Sequence, residues 1–255
     1  MINQRVRTAV IRNGALRVPI PRRLPQIIAG TTIQKLDRRG KYLLFDCGTG
    51  TLIVHLGMSG RLWLVPASAP VQTHDHFDLV LENDSAVRLR DPRRFGLVVW
   101  QKGDPLKHAL LAHIGPEPLS AAFDGDWLYR ATRNRSAAIK LVLMDSRVVA
   151  GVGNIYASEA LFRAGINPKV PARRIGRLRY DVLVEKVRET LVAAIRAGGS
   201  TLRDYVGGDG RAGYFQNEHL VYDRAGQPCS TCGAPVKQLR QGQRATYYCP
   251  YCQRR

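Results

Sequence analysis

Two Cys-x-x-Cys pairs, Cys229-Ser-Thr-Cys232 and Cys249-Pro-Tyr-Cys252, are the residues whose type and spacing most directly specify chemistry. Each pair can present both thiolates to one ion from a tight knuckle. The segment between them reads as a β-hairpin that brings the second pair round to complete a tetrahedron. Four sulfurs leave no open coordination position, so the expected Zn2+ ion is structural and activates no water. Two disulfides are the competing reading. It is disfavoured because no secretory leader opens the sequence and the fifth cysteine, Cys47, is isolated. From Arg224 onward the ribbon carries Arg224, Lys237, Arg240, Arg244, Arg254 and Arg255, and no Asp or Glu. A metal-pinned hairpin bearing only positive charge is suited to lie against a polyanion.

The whole chain shares that bias. Its 39 Lys and Arg against 20 Asp and Glu give a formal net charge of +19 in 255 residues. Arginine predominates, and its planar fork suits phosphate oxygens. No apolar run approaches the roughly 20 residues of a membrane helix, and no basic amphipathic helix carries an aromatic face. Nucleic acid is therefore the expected partner, a membrane is not, and a cytoplasmic, nucleoid-associated location follows.

Further candidates sit on turns. Met58 tips the glycine-flanked loop Gly57-Met-Ser-Gly60, and Phe95 follows two arginines in Asp91-Pro-Arg-Arg-Phe-Gly96. Such side chains can be tucked into local core, or can wedge into a base stack where a nucleotide has been extruded. Lys41, after Arg38-Arg39-Gly40, is either a solvated cation or a proton-transfer group whose pKa its cationic neighbours lower. His74 and His76 offer a metal pair, or a phosphate or turn contact. Gly151-Val-Gly153-Asn154 lacks the third glycine and the βαβ context of a dinucleotide fingerprint, but suits a phosphate nest at a helix start. Val206 to Gly213 is rich in glycine and reads as a loop closing over a ligand or as a linker.

The elements that position these residues fall into an α+β multidomain chain. Short runs separated by turn residues, from Val6–Ile11 and Thr31–Ile33 to Leu97–Trp100, predict a β-sandwich over residues 1–104. Helical periodicity follows at Leu106–His113, Trp127–Thr132, Ala137–Met144, Ile155–Ala164 and Arg179–Ala197, giving a helical domain over 105–220. The ribbon occupies 221–255.

In this order the motifs His55-Leu-Gly-Met-Ser-Gly60, Asp91 to Gly96, Gly151-Val-Gly-Asn-Ile-Tyr156, Gly213-Tyr-Phe215 and Gln243-Arg-Ala245 closely resemble the formamidopyrimidine-DNA glycosylase family over essentially the whole chain. The resemblance implies a β-sandwich, a helix–two-turn–helix domain and a zinc ribbon, with double-stranded DNA containing oxidised bases or abasic sites across the cleft, bound by a monomer. It implies excision of oxidised purines by base flipping, then β,δ-elimination. Met58, Arg93 and Phe95 would fill the void, with Arg93 on the orphaned cytosine. His74, Arg135, Lys140, Asn154 and Arg244 would meet phosphates. Lys41 matches the catalytic lysine, Arg244 the residue of the last elimination step, and 206–213 the loop over the flipped base.

One departure stands out. The family opens Pro-Glu-Leu-Pro-Glu, the proline amine attacking the sugar C1′ and the glutamate moving protons, whereas this sequence opens Met1-Ile-Asn-Gln-Arg5. Three explanations fit: a start assigned to an internal Met, a truncation, or a natural non-catalytic binder. Retention of Lys41, Arg244 and the glycine-rich loop favours the first. These 255 residues are expected to show little glycosylase activity and weak lyase activity through Lys41. A binder of damaged DNA, an RNA-associated ribbon protein and the related oxidised-pyrimidine branch are the alternatives; the Met58, Arg93, Phe95 set favours the purine branch.

Overall fold

The structure, a computed structural model, describes residues 1–199 and 215–254. The predicted loop 206–213 lies outside the described residues. Two compact units divide the described residues, one holding 1–112 and the other 113–199 with 215–254. No described helix is long and apolar enough to cross a membrane.

The first unit is a sandwich of two four-stranded sheets, with every strand pair antiparallel. One sheet has the order β1 (Val6–Ile11), β6 (Asp75–Leu81), β7 (Ser85–Arg90), β5 (Arg61–Pro66). The other has β2 (Lys35–Arg39), β3 (Tyr42–Asp46), β4 (Gly50–His55), β8 (Leu97–Lys102). Alternating inward side chains, among them Val6, Phe45, Leu52, Val54, Phe77, Leu79, Leu89 and Val98, fill the space between the sheets. Burying each such residue stabilises the fold by about 1.5–3 kcal/mol.

Two local expectations are corrected here. Thr31–Ile33 forms no strand; Thr32 makes one isolated bridge with Arg5, and the strand begins at Lys35. Ahead of it, a short helix α1 (Leu24–Ile28) buries Leu24 and Ile28, one turn apart, against the sandwich. The helix expected over Leu106–His113 is a single 3-10 turn, Pro105–Lys107, followed by turns. Leu106 is half exposed and only Leu111 is buried, so the segment has no apolar stripe to hold a longer helix.

The second unit contains α2 (Gly125–Thr132), α3 (Ile139–Leu143), α4 (Asn154–Arg163), α5 (Arg177–Arg196) and the ribbon hairpin β9 (Lys237–Gln241) and β10 (Arg244–Tyr248). Asp124 caps α2, its carboxylate accepting from Trp127 N at 2.6 Å. Phe123, Leu128, Ile139, Leu143, Leu161, Ile166, Tyr180 and Leu183 make the helical core. Phe162 on α4 joins Val221, Val236, Tyr247, Cys229 and Cys249 in a second, smaller core. The ribbon is thereby packed on the helix that carries Asn154 at its first turn.

Candidate nucleic-acid interface

Met58 and Phe95 stand at neighbouring loop tips of the sandwich, 56 % and 44 % exposed, although both are large and apolar. Their loops are locked together at the base. Gly57 has φ +64°, and a Cβ there would lie 2.5 Å from the carbonyl carbon of Phe95. A Cβ on Gly96 would lie 2.8 Å from the His55 carbonyl oxygen. Glycine is needed at both positions because two backbones touch. His55 Nδ1 accepts from Gly57 N at 2.9 Å, fixing the turn that projects Met58. Burial, with Arg17 and Lys41 nearby, pushes the His55 pKa down to about 4, so the ring is the neutral acceptor that this bond requires. The Arg93 guanidinium lies 4.9 Å from the centre of the Phe95 ring, holding cation and aromatic face together.

Lys41 follows Gly40 (φ 57°) in the tight turn between β2 and β3, which Arg38 braces by donating to the Gly40 carbonyl at 2.7 Å. Arg38 and Arg39 lie within β2 itself. Lys41 thus sits close enough to His55 to depress its pKa, in the same neighbourhood as the Met58 loop. His74 is exposed on a left-handed residue, φ 72°. His76 Nε2 is 3.0 Å from the Asp91 carbonyl oxygen, and the His74 and His76 ring centres are 6.0 Å apart. Among the described residues only the four cysteines bring three or more metal-ligating side chains together.

In the second unit, Lys140 is fully buried, and its ammonium donates to Asn154 Oδ1 (2.6 Å), Thr246 Oγ1 (2.7 Å) and the Ala245 carbonyl (2.9 Å). Burial, with Arg244 nearby, lowers its pKa to about 8. Asn154 begins α4 directly after Gly153, and its amide nitrogen donates to the Ala245 carbonyl (3.1 Å) and to Tyr222 Oη (3.2 Å). Arg244, exposed at the start of β10, follows a two-residue turn in which Gly242 (φ 51°) and Gln243 (φ 61°) are both left-handed. A Cβ on Gly242 would come within 2.9 Å of Leu141 Cδ2, so the hairpin tip rests on α3. Arg135 is held by Asp145 at 2.8 Å. Burial pushes the Asp145 carboxyl up, but bonds from Arg147 and Arg135 outweigh it and hold it at about 2.

The sequence alone did not reveal Glu159. Its buried carboxylate accepts from three successive backbone amides, Leu220 N, Val221 N and Tyr222 N, at 2.9–3.0 Å. The bonds pin the segment entering the ribbon and set the Tyr222 hydroxyl beside Asn154. A Glu within the otherwise uncharged run Ala157-Ser-Glu-Ala-Leu-Phe162 was the available signal.

The four sulfurs of Cys229, Cys232, Cys249 and Cys252 lie within 4.8 Å of one another, with Cys229–Cys252 at 3.8 Å and Cys232–Cys249 at 3.5 Å. A tetrahedral Zn–S bond of about 2.3 Å requires sulfur separations of roughly 3.8 Å. All four are free thiols. The donor set fits one structural zinc.

Comparisons with known proteins account for the features of both units. Residues 1–98 match the formamidopyrimidine-DNA glycosylase N-terminal domain, 114–206 the formamidopyrimidine-DNA glycosylase H2TH domain, and 226–255 a zinc finger found in FPG and IleRS. Formamidopyrimidine-DNA glycosylase of Stutzerimonas stutzeri is 54 % identical over 254 residues, covering 100 % of this chain and 94 % of the relative. The Aromatoleum aromaticum enzyme of that name is 57 % identical over 245 residues, covering 96 % and 90 %. The MutM (Fpg) structure from Thermus thermophilus superposes with a TM-score of 0.89 at 39 % identity, covering 99 % of this chain and 92 % of that one. Lactococcus lactis Fpg in complex with a Fapy-dG containing DNA gives 0.90 at 33 % identity, covering 100 % and 94 %. The chain belongs to the formamidopyrimidine-DNA glycosylase family.

Proposed function

We propose that this protein is a base-excision repair DNA glycosylase and abasic-site lyase that acts on oxidised purines in duplex DNA, working as a monomer on the bacterial nucleoid. The observation that carries the reading is the pair of exposed apolar tips, Met58 and Phe95, locked at their base and flanked by Arg93. An extruded nucleotide leaves a gap in the stack, and apolar side chains presented to solvent at fixed positions offset the lost stacking. The working division is the sandwich over 1–104, the helix–two-turn–helix domain over 105–220 and the ribbon over 221–255.

Met58, Arg93 and Phe95 fill the gap, with Arg93 reading the unpaired base. His74, Arg135, Asn154 and Arg244 meet phosphates. Lys140 supports the reading differently from a surface cation: its three protein acceptors make it the group that orients Asn154 and the Arg244 hairpin and adds positive charge behind them. Lys41 transfers protons and Arg244 assists the last elimination. The zinc shapes the ribbon and takes no part in bond breaking.

Base loss needs an amine to attack the sugar C1′. The resulting Schiff base acidifies the adjacent C2′ proton, and β- then δ-elimination breaks the strand. The reading is tested by excision of 8-oxoguanine from duplex DNA and by borohydride trapping on abasic DNA, both of which are expected of the protein. Absence of both from protein that binds the abasic duplex would contradict the reading. Salt-sensitive affinity for abasic duplex without cleavage would favour the binder instead.

A further inference from the structure

Asp91 is fully buried, and it joins three loops of the sandwich unit. Its Oδ1 accepts from Ser59 Oγ at 2.7 Å, in the Met58 loop. Its Oδ2 accepts from Gly96 N at 2.7 Å, one residue past Phe95. Its backbone N donates to the His74 carbonyl at 3.1 Å, and its carbonyl accepts from Arg94 N at 3.1 Å. Ser59 Oγ in turn accepts from Arg93 N at 3.3 Å. The topology explains the convergence. Residues 57–60 carry the chain from β4 to β5 and residues 91–96 carry it from β7 to β8, so two crossovers between the sheets run side by side at one end of the sandwich.

We infer that Asp91 is a positioning residue that fastens Met58, Arg93 and Phe95 into one preformed three-pronged unit, and thereby sets the preference for lesion-bearing over intact duplex. The inference rests on the functional reading above and adds how the discrimination is achieved. An ionised carboxylate accepts without donating, which suits a site offering a hydroxyl and an amide. Prongs already in place lose little entropy when they enter a gap, so their rigidity raises affinity only where a gap exists. Asp91 is out of reach of phosphate, so sequence-independent binding does not depend on it.

The test uses the full chain carrying Asp91→Asn, with Ser59→Ala as a second variant that removes the hydroxyl alone. Asp91→Asn keeps only one acceptor oxygen: if it stays on the Gly96 N–H, the NH2 faces the Ser59 hydroxyl, whose proton then loses its acceptor. Affinity is measured for intact duplex and for duplex with a tetrahydrofuran abasic analogue, and 2-aminopurine opposite the gap reports prong insertion. Both variants are expected to lose roughly tenfold in preference for the abasic duplex, with a reduced 2-aminopurine change. Intact-duplex affinity, its salt slope and the zinc content are expected to hold. Should Asp91→Asn not fold, Ser59→Ala decides. Unchanged preference in a folded variant, or equal loss on both duplexes, overturns the inference alone. A wild-type protein with no preference overturns the functional reading and this inference together.

Discussion

The ammonium of Lys140 lies 2.6 Å from Oδ1 of Asn154, joining α3 to the first residue of α4, and the same nitrogen reaches the ribbon at Ala245 and Thr246. One buried cation therefore sets the relation between a helix N-terminus and a zinc-pinned hairpin within a single unit. Replacing it leaves three acceptors without their charged donor. Lys140→Met is expected to destabilise the protein by about 2–4 kcal/mol and to weaken binding to all duplexes, with or without a lesion. Urea unfolding and anisotropy titration measure the two effects; a stable variant with wild-type affinity would refute the role.

The exposed tips make the opposite prediction. Met58→Ala and Phe95→Ala remove side chains that contribute little to the core, so unfolding free energy should change by no more than about 0.5 kcal/mol. Preference for abasic over intact duplex should nevertheless fall by roughly tenfold or more. Stability lost in proportion to binding would show that these residues belong to the core and not to the interface.

His55 gives a pH dependence with a defined sign. Its folded pKa is about 4 against an ordinary 6.5, so between those values the unfolded chain takes up a proton that the folded chain refuses. The stability it contributes is complete above pH 6.5 and is lost as pH falls through 4, by about 3 kcal/mol in all. Between about pH 7 and pH 5 the wild type should lose more stability than His55→Asn, whose amide oxygen can still accept from Gly57 N. Equal losses in urea unfolding at the two pH values would contradict the assignment.

Removing a zinc ligand tests the ribbon. Cys249→Ser takes one sulfur from a fully buried position in the small core. Structural zinc sites are worth on the order of 10 kcal/mol to the elements they hold. The variant should bind no stoichiometric zinc and lose DNA affinity by roughly a hundredfold, while the β-sandwich signal in circular dichroism remains. Zinc analysis beside anisotropy decides it, and retained affinity in a zinc-free variant would remove the ribbon from the interface.

How much of this could be read from sequence depended on the range of the interaction. Strands such as Tyr42–Asp46 and Leu97–Lys102 were legible because β-branched and aromatic runs between turn residues carry their own signal. The cysteine pairs were legible because their ligand spacing is local. The segment after Pro105 misled because its leucines have helical spacing but little to pack against. Lys140 resembled a surface cation, since its acceptors Ala245 and Thr246 lie more than a hundred residues away in sequence. Asp91 opens the Asp-Pro-Arg-Arg-Phe-Gly motif, yet only the crossing of two loops between sheets reveals what its carboxylate holds.

The most direct measurement is competition between a duplex with one abasic analogue and the same duplex intact, read by anisotropy at fixed ionic strength on purified protein of known zinc content. One zinc per chain and at least a roughly tenfold preference for the abasic duplex, lost on Met58→Ala, is the predicted result. Equal affinity for the two duplexes at full zinc occupancy would contradict the account.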